Sequence, residues 1–494
     1  MNELPLLACV DLGSNSFRLQ ICENDNGHPR IIENIKHMVR LAGGLDAQKN
    51  LDGASQQRAL ECLAQFGERL RGLRPDQVRA VATNTFRVAK NIAAFLPETE
   101  RALGFPIEVI AGREEARLIY TGVVHTYPAD GRKMLVVDIG GGSTEFIIGH
   151  ALHPTLTESL PLGCVTYSNR FFANKIGAKD FQAAVNAARS EIQRIGKLYR
   201  REGWDIALGT SGSAKAVAAV IEAEGYGSRI TLEAMRQTAA AIAEAGSTKK
   251  AKLAGLKPER VEVFAGGLAV LAAAFEELDI ESMEYTDAAL RDGLFYDTIG
   301  RRLDEDLREQ TVVRFQERYH VSTNQAARVA ALAGRFLHSL AQNEAVQALD
   351  YWSQYVRWAA MLHEIGTDIA HTAYHKHSAY ILAQADMPGF SRQEQSLLSA
   401  LALGQRGDLR KMTALLAQND TMQWHSVLSL RLAVLLCRAR LPPELPPRTL
   451  LQHTAKGYRL SLSPEWLDAN PLTAAALEDE TAQWAKIGRT FAVD

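Results

Sequence analysis

The chain of 494 residues is poor in several features, and each shortage closes off a class of protein. Its five cysteines, Cys9, Cys22, Cys62, Cys164 and Cys437, are scattered and never form a Cys-x-x-Cys pair. That argues against structural zinc and for a reducing, cytoplasmic compartment. Charge of one sign is also lacking. A formal net charge of -2 gives no global field to draw the chain to nucleic acid or membrane. Long apolar runs are missing too. Residues 6–10 form a short one that stops at Asp11 without the basic leader of a signal peptide. Residues 261–275 are interrupted by Glu262, Gly266 and Gly267, and read as a core helix rather than a bilayer span. Neither GxxxxGK[ST] nor a GxGxxG after the first strand occurs, which excludes P-loop and dinucleotide-fold phosphate machinery.

What is present is ordinary globular material, 47% hydrophobic and 23% charged, in a chain long enough for two to four domains. Two segments look like copies of one device. Residues 6–10 lead into Asp11-Leu12-Gly13-Ser14-Asn15-Ser16, and a second strand follows from Phe17. Residues 134–137 lead into Asp138-Ile139-Gly140-Gly141-Gly142-Ser143-Thr144, followed by Glu145-Phe146-Ile147-Ile148. Each reads as strand, acid, tight glycine–hydroxyl turn, strand. The repeat implies two related α/β lobes facing each other. From Asn324 helical periodicity takes over, and Pro442-Pro443 and Pro446-Pro447 mark a further boundary. The expected pieces are 1–128, 129–305, 306–445 and 446–494.

A strand that stops at a Gly/Ser/Thr loop offers backbone N–H groups and hydroxyls to an anion, and glycine lets the phosphate approach. Gly209-Thr210-Ser211-Gly212-Ser213, after a short strand at 206–208, is a third such loop. Asp11, Asp138 and Glu145 flank the loops. Carboxylates beside phosphate repel it unless a cation intervenes, so a divalent metal such as Mg²⁺ is expected, with local hydrogen bonding within the turns as the plainer alternative. Glu114 and Glu115 open a helix after Gly112, where helix-dipole complementation alone would account for them. Arg87 and Arg113 lie at strand and loop ends, where a guanidinium pairs with phosphate or simply meets solvent.

Taken with Gly112-Arg113-Glu114-Glu115-Ala116-Arg117-Leu118-Ile119, these motifs resemble, in order and spacing, the exopolyphosphatase / guanosine pentaphosphate phosphohydrolase family. The resemblance implies two actin-like (ribonuclease-H-like) lobes, an all-helical phosphohydrolase-like domain and a small C-terminal α+β piece. It implies Glu115 as the base that activates water, with Glu145 and Arg87 assisting. It implies Asp138, Glu145 and Asp11 toward Mg²⁺ or another divalent cation. The phosphate loops would be Gly13, Ser14, Asn15 and Ser16; Gly140, Gly141, Gly142, Ser143 and Thr144; and Ser211, Gly212 and Ser213. In the helical region His363-Glu364 stands where a working metal site needs His-Asp, and His371, His375 and His377 follow. A second metal centre is therefore not expected. Arg301, Arg302, Arg308, Arg314 and Arg318 are candidates to line a basic channel, or to form a plain solvated helix.

The expected function is hydrolytic release of terminal orthophosphate from inorganic polyphosphate. The alternative within the family is removal of the 5′-γ-phosphate of guanosine pentaphosphate, and a non-catalytic sensor is the reading from another class. The family likeness further implies a homodimer. No nucleic-acid or integral membrane partner is expected.

Overall fold

The computed structural model describes residues 6–25, 28–127, 131–302, 306–342, 344–447 and 449–494. The expected boundaries near 128 and 305, and the side chain of Arg302, lie outside the described residues. The chain divides into two compact units, Met1–Asp306 and Leu307–Asp494.

The first unit contains two five-stranded mixed sheets. One is built from β1 (Leu6–Leu12), β2 (Phe17–Asp25), β3 (His28–His37), β4 (Val78–Ala82) and β5 (Ile107–Val109), in the order β3-β2-β1-β4-β5. The other is built from β6 (Met134–Ile139), β7 (Thr144–His150), β8 (His153–Leu160), β9 (Ile206–Thr210) and β10 (Glu284–Tyr285), in the order β10-β9-β6-β7-β8. Strand for strand the orders coincide, and so do the pairings. β1/β2, β2/β3, β6/β7 and β7/β8 are antiparallel, while β1/β4, β4/β5, β6/β9 and β9/β10 are parallel. The internal repeat is a duplicated actin-like lobe. β6 is buried along its whole length and β1 nearly so, which is why both read as continuous apolar runs rather than alternating ones.

β3 and β8 were not visible in the sequence. β3 (HPRIIENIKH) carries charge and exposes Ile31 and Ile32. It is an edge strand, and pairing with β2 rather than its own pattern makes it a strand.

The helix Gly112–Thr126 runs from β5 to β6 and packs backbone to backbone on the helix Leu290–Arg302. A Cβ on Gly122 would lie 2.6 Å from the Ala289 carbonyl oxygen, so glycine is what permits this approach. Beside that contact lies a buried charge network. Asp297 accepts from Arg117 Nη2 at 2.6 Å, from Arg301 at 3.2 Å and from Arg79. Arg117 also reaches Glu114 at 2.7 and 2.9 Å, and Arg79 reaches Glu108 at 3.1 and 3.2 Å. Burial alone would push the Asp297 carboxyl up, but Arg117, Arg79 and Arg301 outweigh it and hold it well below the usual range. Glu114 is thus part of a buried lock, not a solvated dipole charge.

The second unit is helical, with Leu307–Arg318, Thr323–Leu340, Val346–Met361, Tyr374–Gln384, Arg392–Gly404 and Thr421–Leu436 as its longer early helices. A three-stranded sheet of β11 (Leu450–Thr454), β12 (Gly457–Ser461) and β13 (Phe491–Val493) follows, with the helix Pro471–Ala485. Leu451, Tyr458, Leu460, Trp484 and Phe491 share one core with Trp358, Leu401 and Trp424 of the helices. Among the described residues no helix is long and apolar enough to cross a membrane.

Asp297→Asn leaves two buried guanidiniums without their shared counter-charge. It should destabilise the protein by about 3–5 kcal/mol, the usual cost of breaking a buried ion pair on one side. Urea unfolding of the variant tests this, and a loss below about 1 kcal/mol would remove the network from its structural role.

Candidate active site

The two hairpin loops meet. A Cβ on Gly141 would lie 3.0 Å from Ser14 Cβ and 3.2 Å from the Asn15 amide nitrogen, so any larger residue would have to push the first loop back by a few tenths of an ångström. Ser14 accepts a hydrogen bond from Thr85 Oγ1 at 2.8 Å, and its carbonyl accepts from the Ala42 amide at 2.9 Å. The third loop closes on the second: the hydroxyls of Ser211 and Ser213 both donate to the Ile139 carbonyl, at 3.0 and 3.1 Å. Ser211 has φ +63°, a left-handed conformation costly to a residue with a side chain.

These loops line a cleft with a cavity volume of about 180 Å³. Of the expected residues, Asp11, Gly13, Ser14, Asn15, Ser16, Glu115, Asp138, Gly140, Gly141, Ser143, Ser211 and Gly212 lie on its wall. Arg87, Gly142, Thr144, Glu145 and Ser213 do not line it. Glu145 is buried opposite Asp138 in the β6/β7 register and accepts from Ser159 Oγ at 2.7 Å. Arg87, expected to face the phosphates, instead donates to Glu115 Oε2 at 2.7 Å and to the Ile110 carbonyl at 3.0 Å. Arg113 pairs with Glu158 at 2.5 Å.

Cations complete the wall: Arg18, Lys36, Lys215, Arg260 and Arg291. None was singled out from sequence. For Arg18 a signal existed, since it follows Asp11 at the offset by which Glu145 follows Asp138. In the structure Asp11 pairs with Arg18 as Asp138 pairs with Glu145. Lys36 stands opposite Arg18 across β2 and β3, and like charges placed so are unfavourable without an anion. Burial together with Arg18 and Arg260 pushes the Lys36 ammonium below its usual pKa, and burial and Arg291 do the same to Arg18.

The carboxyls are strained in the opposite sense. Burial raises Asp138 to about 7, with Glu115 and Asp11 adding, and with the Ser211 hydroxyl and Arg18 opposing. Burial raises Asp11 to about 6, with Arg18 and Arg291 opposing and Glu115 adding. Glu145 is raised well above the carboxylate range by burial, Glu115 and Asp138. Asn15 Oδ1 is a buried oxygen with no hydrogen-bond partner among the described residues. Hard oxygens short of positive charge are the donor chemistry of a divalent cation. Among the described residues no three His, Cys, Asp or Glu side chains stand close enough to cage one. The set therefore fits a metal held jointly by one or two carboxylates and by substrate oxygens.

In the second unit His363 is buried and bonds the Ala360 carbonyl at 2.6 Å, and Glu364 is paired with Arg440 at 2.6 Å. His371 is exposed, while His375 is buried and pushed down to about 4 by burial, Lys411 and Arg406. Of the channel candidates, Arg301 pairs with Asp297 at 3.2 Å and Arg308 with Glu394 at 2.6 Å, whereas Arg314 and Arg318 are exposed.

The carboxyl shifts give a pH signature. An unfolded Asp releases its proton near 4, whereas Asp138 in the folded chain keeps it to about 7. Between these values the native state binds more protons, so stability falls as pH rises. In metal-free buffer Asp138→Asn should melt higher than the parent at pH 7.5 and no higher at pH 4. Equal melting at both pH values would contradict this.

Comparison with known proteins bears on the whole chain. The sequence matches the Ppx/GppA phosphatase family over residues 20–302 and domain III of that family over residues 307–481. It is 39% identical over 485 residues to a protein of Pseudoalteromonas translucida named guanosine-5'-triphosphate,3'-diphosphate pyrophosphatase, covering 97% of both chains. It is 38% identical to one of the same name from Vibrio parahaemolyticus, covering 98% of this chain and 97% of that one. Among solved structures, an exopolyphosphatase of Cytophaga hutchinsonii superposes with TM-score 0.55 at 21% identity, over 60% of this chain and 98% of that one. An exopolyphosphatase-like protein superposes with TM-score 0.54 at 26% identity, over 60% and 99%. With duplicated lobes, a cleft lined by glycine–hydroxyl loops and matches spanning both units, the chain belongs to the Ppx/GppA phosphatase family.

Proposed function

We propose that the protein hydrolyses the terminal 5′-phosphoanhydride of guanosine pentaphosphate, releasing orthophosphate and guanosine tetraphosphate. The observation that carries this reading is end-to-end likeness, at 38–39% identity, to proteins named for that substrate. It reverses the order of the two substrates expected from sequence, in which inorganic polyphosphate came first. Polyphosphate remains the second reading, favoured by the exopolyphosphatase-like structure at 26% identity, which covers only 60% of this chain.

In this mechanism the loops present amides, and the first two also hydroxyls, to the terminal phosphoryl group, and Arg18, Lys36 and Arg260 attract the remaining phosphates. Glu115 projects into the cleft from the first turn of its helix and accepts the proton of the attacking water. Arg87 holds that carboxylate in place at 2.7 Å. Gly112 lets the helix start sit against β8, because a Cβ there would lie 2.5 Å from Ser159 Cβ. Asp138, with Asp11 or Glu145, would hold Mg²⁺ together with phosphate oxygens, and that ion supplies charge neutralisation when bound. The oxygen–phosphorus bond to water forms in line with the bond that breaks to the β-phosphate oxygen.

Glu115→Gln should lower kcat by about 10²–10⁴-fold, the usual contribution of a general base, with substrate affinity within a few-fold. Single-turnover phosphate release and calorimetric titration with guanosine pentaphosphate measure the two, and near-normal release would reject Glu115. Assayed side by side, the wild-type protein should show a higher kcat/KM on guanosine pentaphosphate than on long-chain polyphosphate. The reverse order restores the polyphosphate reading.

A further inference from the structure

One acidic side chain on the cleft wall stands apart from the carboxyls around Glu115. Asp287 follows β10, beside the start of the helix Ser211–Ala223. Its Oδ1 accepts from Lys215 Nζ at 2.6 Å and from the Tyr285 hydroxyl. Its Oδ2 has no partner among the described residues, and the side chain is 72% exposed. The Lys215 ammonium lies 5.3 Å above the Tyr285 ring, so lysine and tyrosine hold Asp287 from one side only. Burial opposes ionisation at Asp287, but the Lys215 and Tyr285 contacts prevail and keep its carboxyl below the usual range. Arg291, on the same wall, donates to Gln20 Oε1 at 2.9 Å and to the Asp287 backbone carbonyl at 3.4 Å, which leaves the Asp287 carboxylate Oδ2 open.

A fixed anion with one open oxygen is a poor lining for a polyanion. A bare phosphate chain brings no donor to it and is repelled. A purine carrying both a ring N–H and an exocyclic amino group on its Watson–Crick edge, as guanine does, brings adjacent donors that a carboxylate accepts. Adenine presents a ring acceptor at that position and meets the carboxylate unfavourably. We infer that Asp287, set by Lys215 and Tyr285, is the specificity-determining residue that recognises the donor edge of a guanine base and disfavours unsubstituted polyphosphate. This rests on the guanosine reading of the cleft and adds the residue that reads the base.

The test compares Asp287→Asn and Asp287→Ala with wild-type full-length protein on guanosine pentaphosphate, its adenosine counterpart and tripolyphosphate, at one Mg²⁺ concentration. Asparagine keeps an oxygen for Lys215 and Tyr285 but turns a donor toward the base. In both variants kcat/KM for the guanosine substrate should fall at least about 10-fold relative to tripolyphosphate, as expected for loss of a charged hydrogen bond, and the change should lie in KM. The guanosine-to-adenosine preference should shrink by a similar factor. An equal loss on all three substrates would assign Asp287 to positioning Lys215 for phosphate and overturn the inference, as would no change. Wild-type protein that hydrolyses tripolyphosphate but not guanosine pentaphosphate would instead defeat the underlying function, before any variant is compared. Asp287 is exposed, so both variants should fold, and unchanged melting temperatures confirm that the kinetic changes are local.

Discussion

The site depends on where one helix start is held. Under the proposed chemistry Glu115 serves only if the first turn of Gly112–Thr126 stays pressed between β8 and Arg87, and Asp297 holds that helix from behind through Arg117 and Glu114. Three arginines converge on Asp297 and hold its carboxyl well below the usual carboxylate range. Buried ion pairs of this kind are weak contributors to net stability, because desolvation offsets the attraction. Their directionality is what matters here. Glycine-to-backbone packing at Gly122 and the charge lock together fix both the height and the rotation of the helix.

Against this rigid frame the cleft itself is electrostatically unsettled. Asp11, Asp138 and Glu145 sit with raised proton affinity, while burial and Arg291 push Arg18 the other way, and burial, Arg18 and Arg260 do the same to Lys36. Groups of both signs stand disfavoured on one wall, Arg18 opposite Asp11 among them. Under the proposed function a metal-bound phosphate chain would relieve both, which is how preorganised charge is turned into affinity at the reacting end of a substrate. The same complementarity explains why the loops alone could not name the substrate. Every phosphoanhydride presents the same terminal group, and only side chains farther along the wall meet the part that differs.

Much of this was legible in the chain. β1 and β6 could be read because central strands buried on both faces are continuous apolar runs, and their Asp–Gly–hydroxyl endings marked both loops. The interrupted apolar run at 261–275 lies within the helix Val261–Leu278, which is buried along most of its length as a core helix should be. β3 and β8 were missed because edge strands take their conformation from a neighbour rather than from their own pattern.

The sequence by itself determined the duplicated strand–loop device, the acidic pair and the absence of P-loop chemistry, because each is local and has a fixed spacing. Only the tertiary structure decided which glutamate of the pair faces the cleft and which is locked behind it. Glu115 lines the wall while Glu114 pairs with Arg117, a difference of one residue on a helix whose rotation is set by Asp297. Tertiary structure also turned Arg87 from the substrate toward Glu115 and gathered Arg18, Lys36, Lys215, Arg260 and Arg291 from separate elements into one wall. Such residues share no spacing along the chain. What unites them is the cleft they line, and folding alone brings them to it.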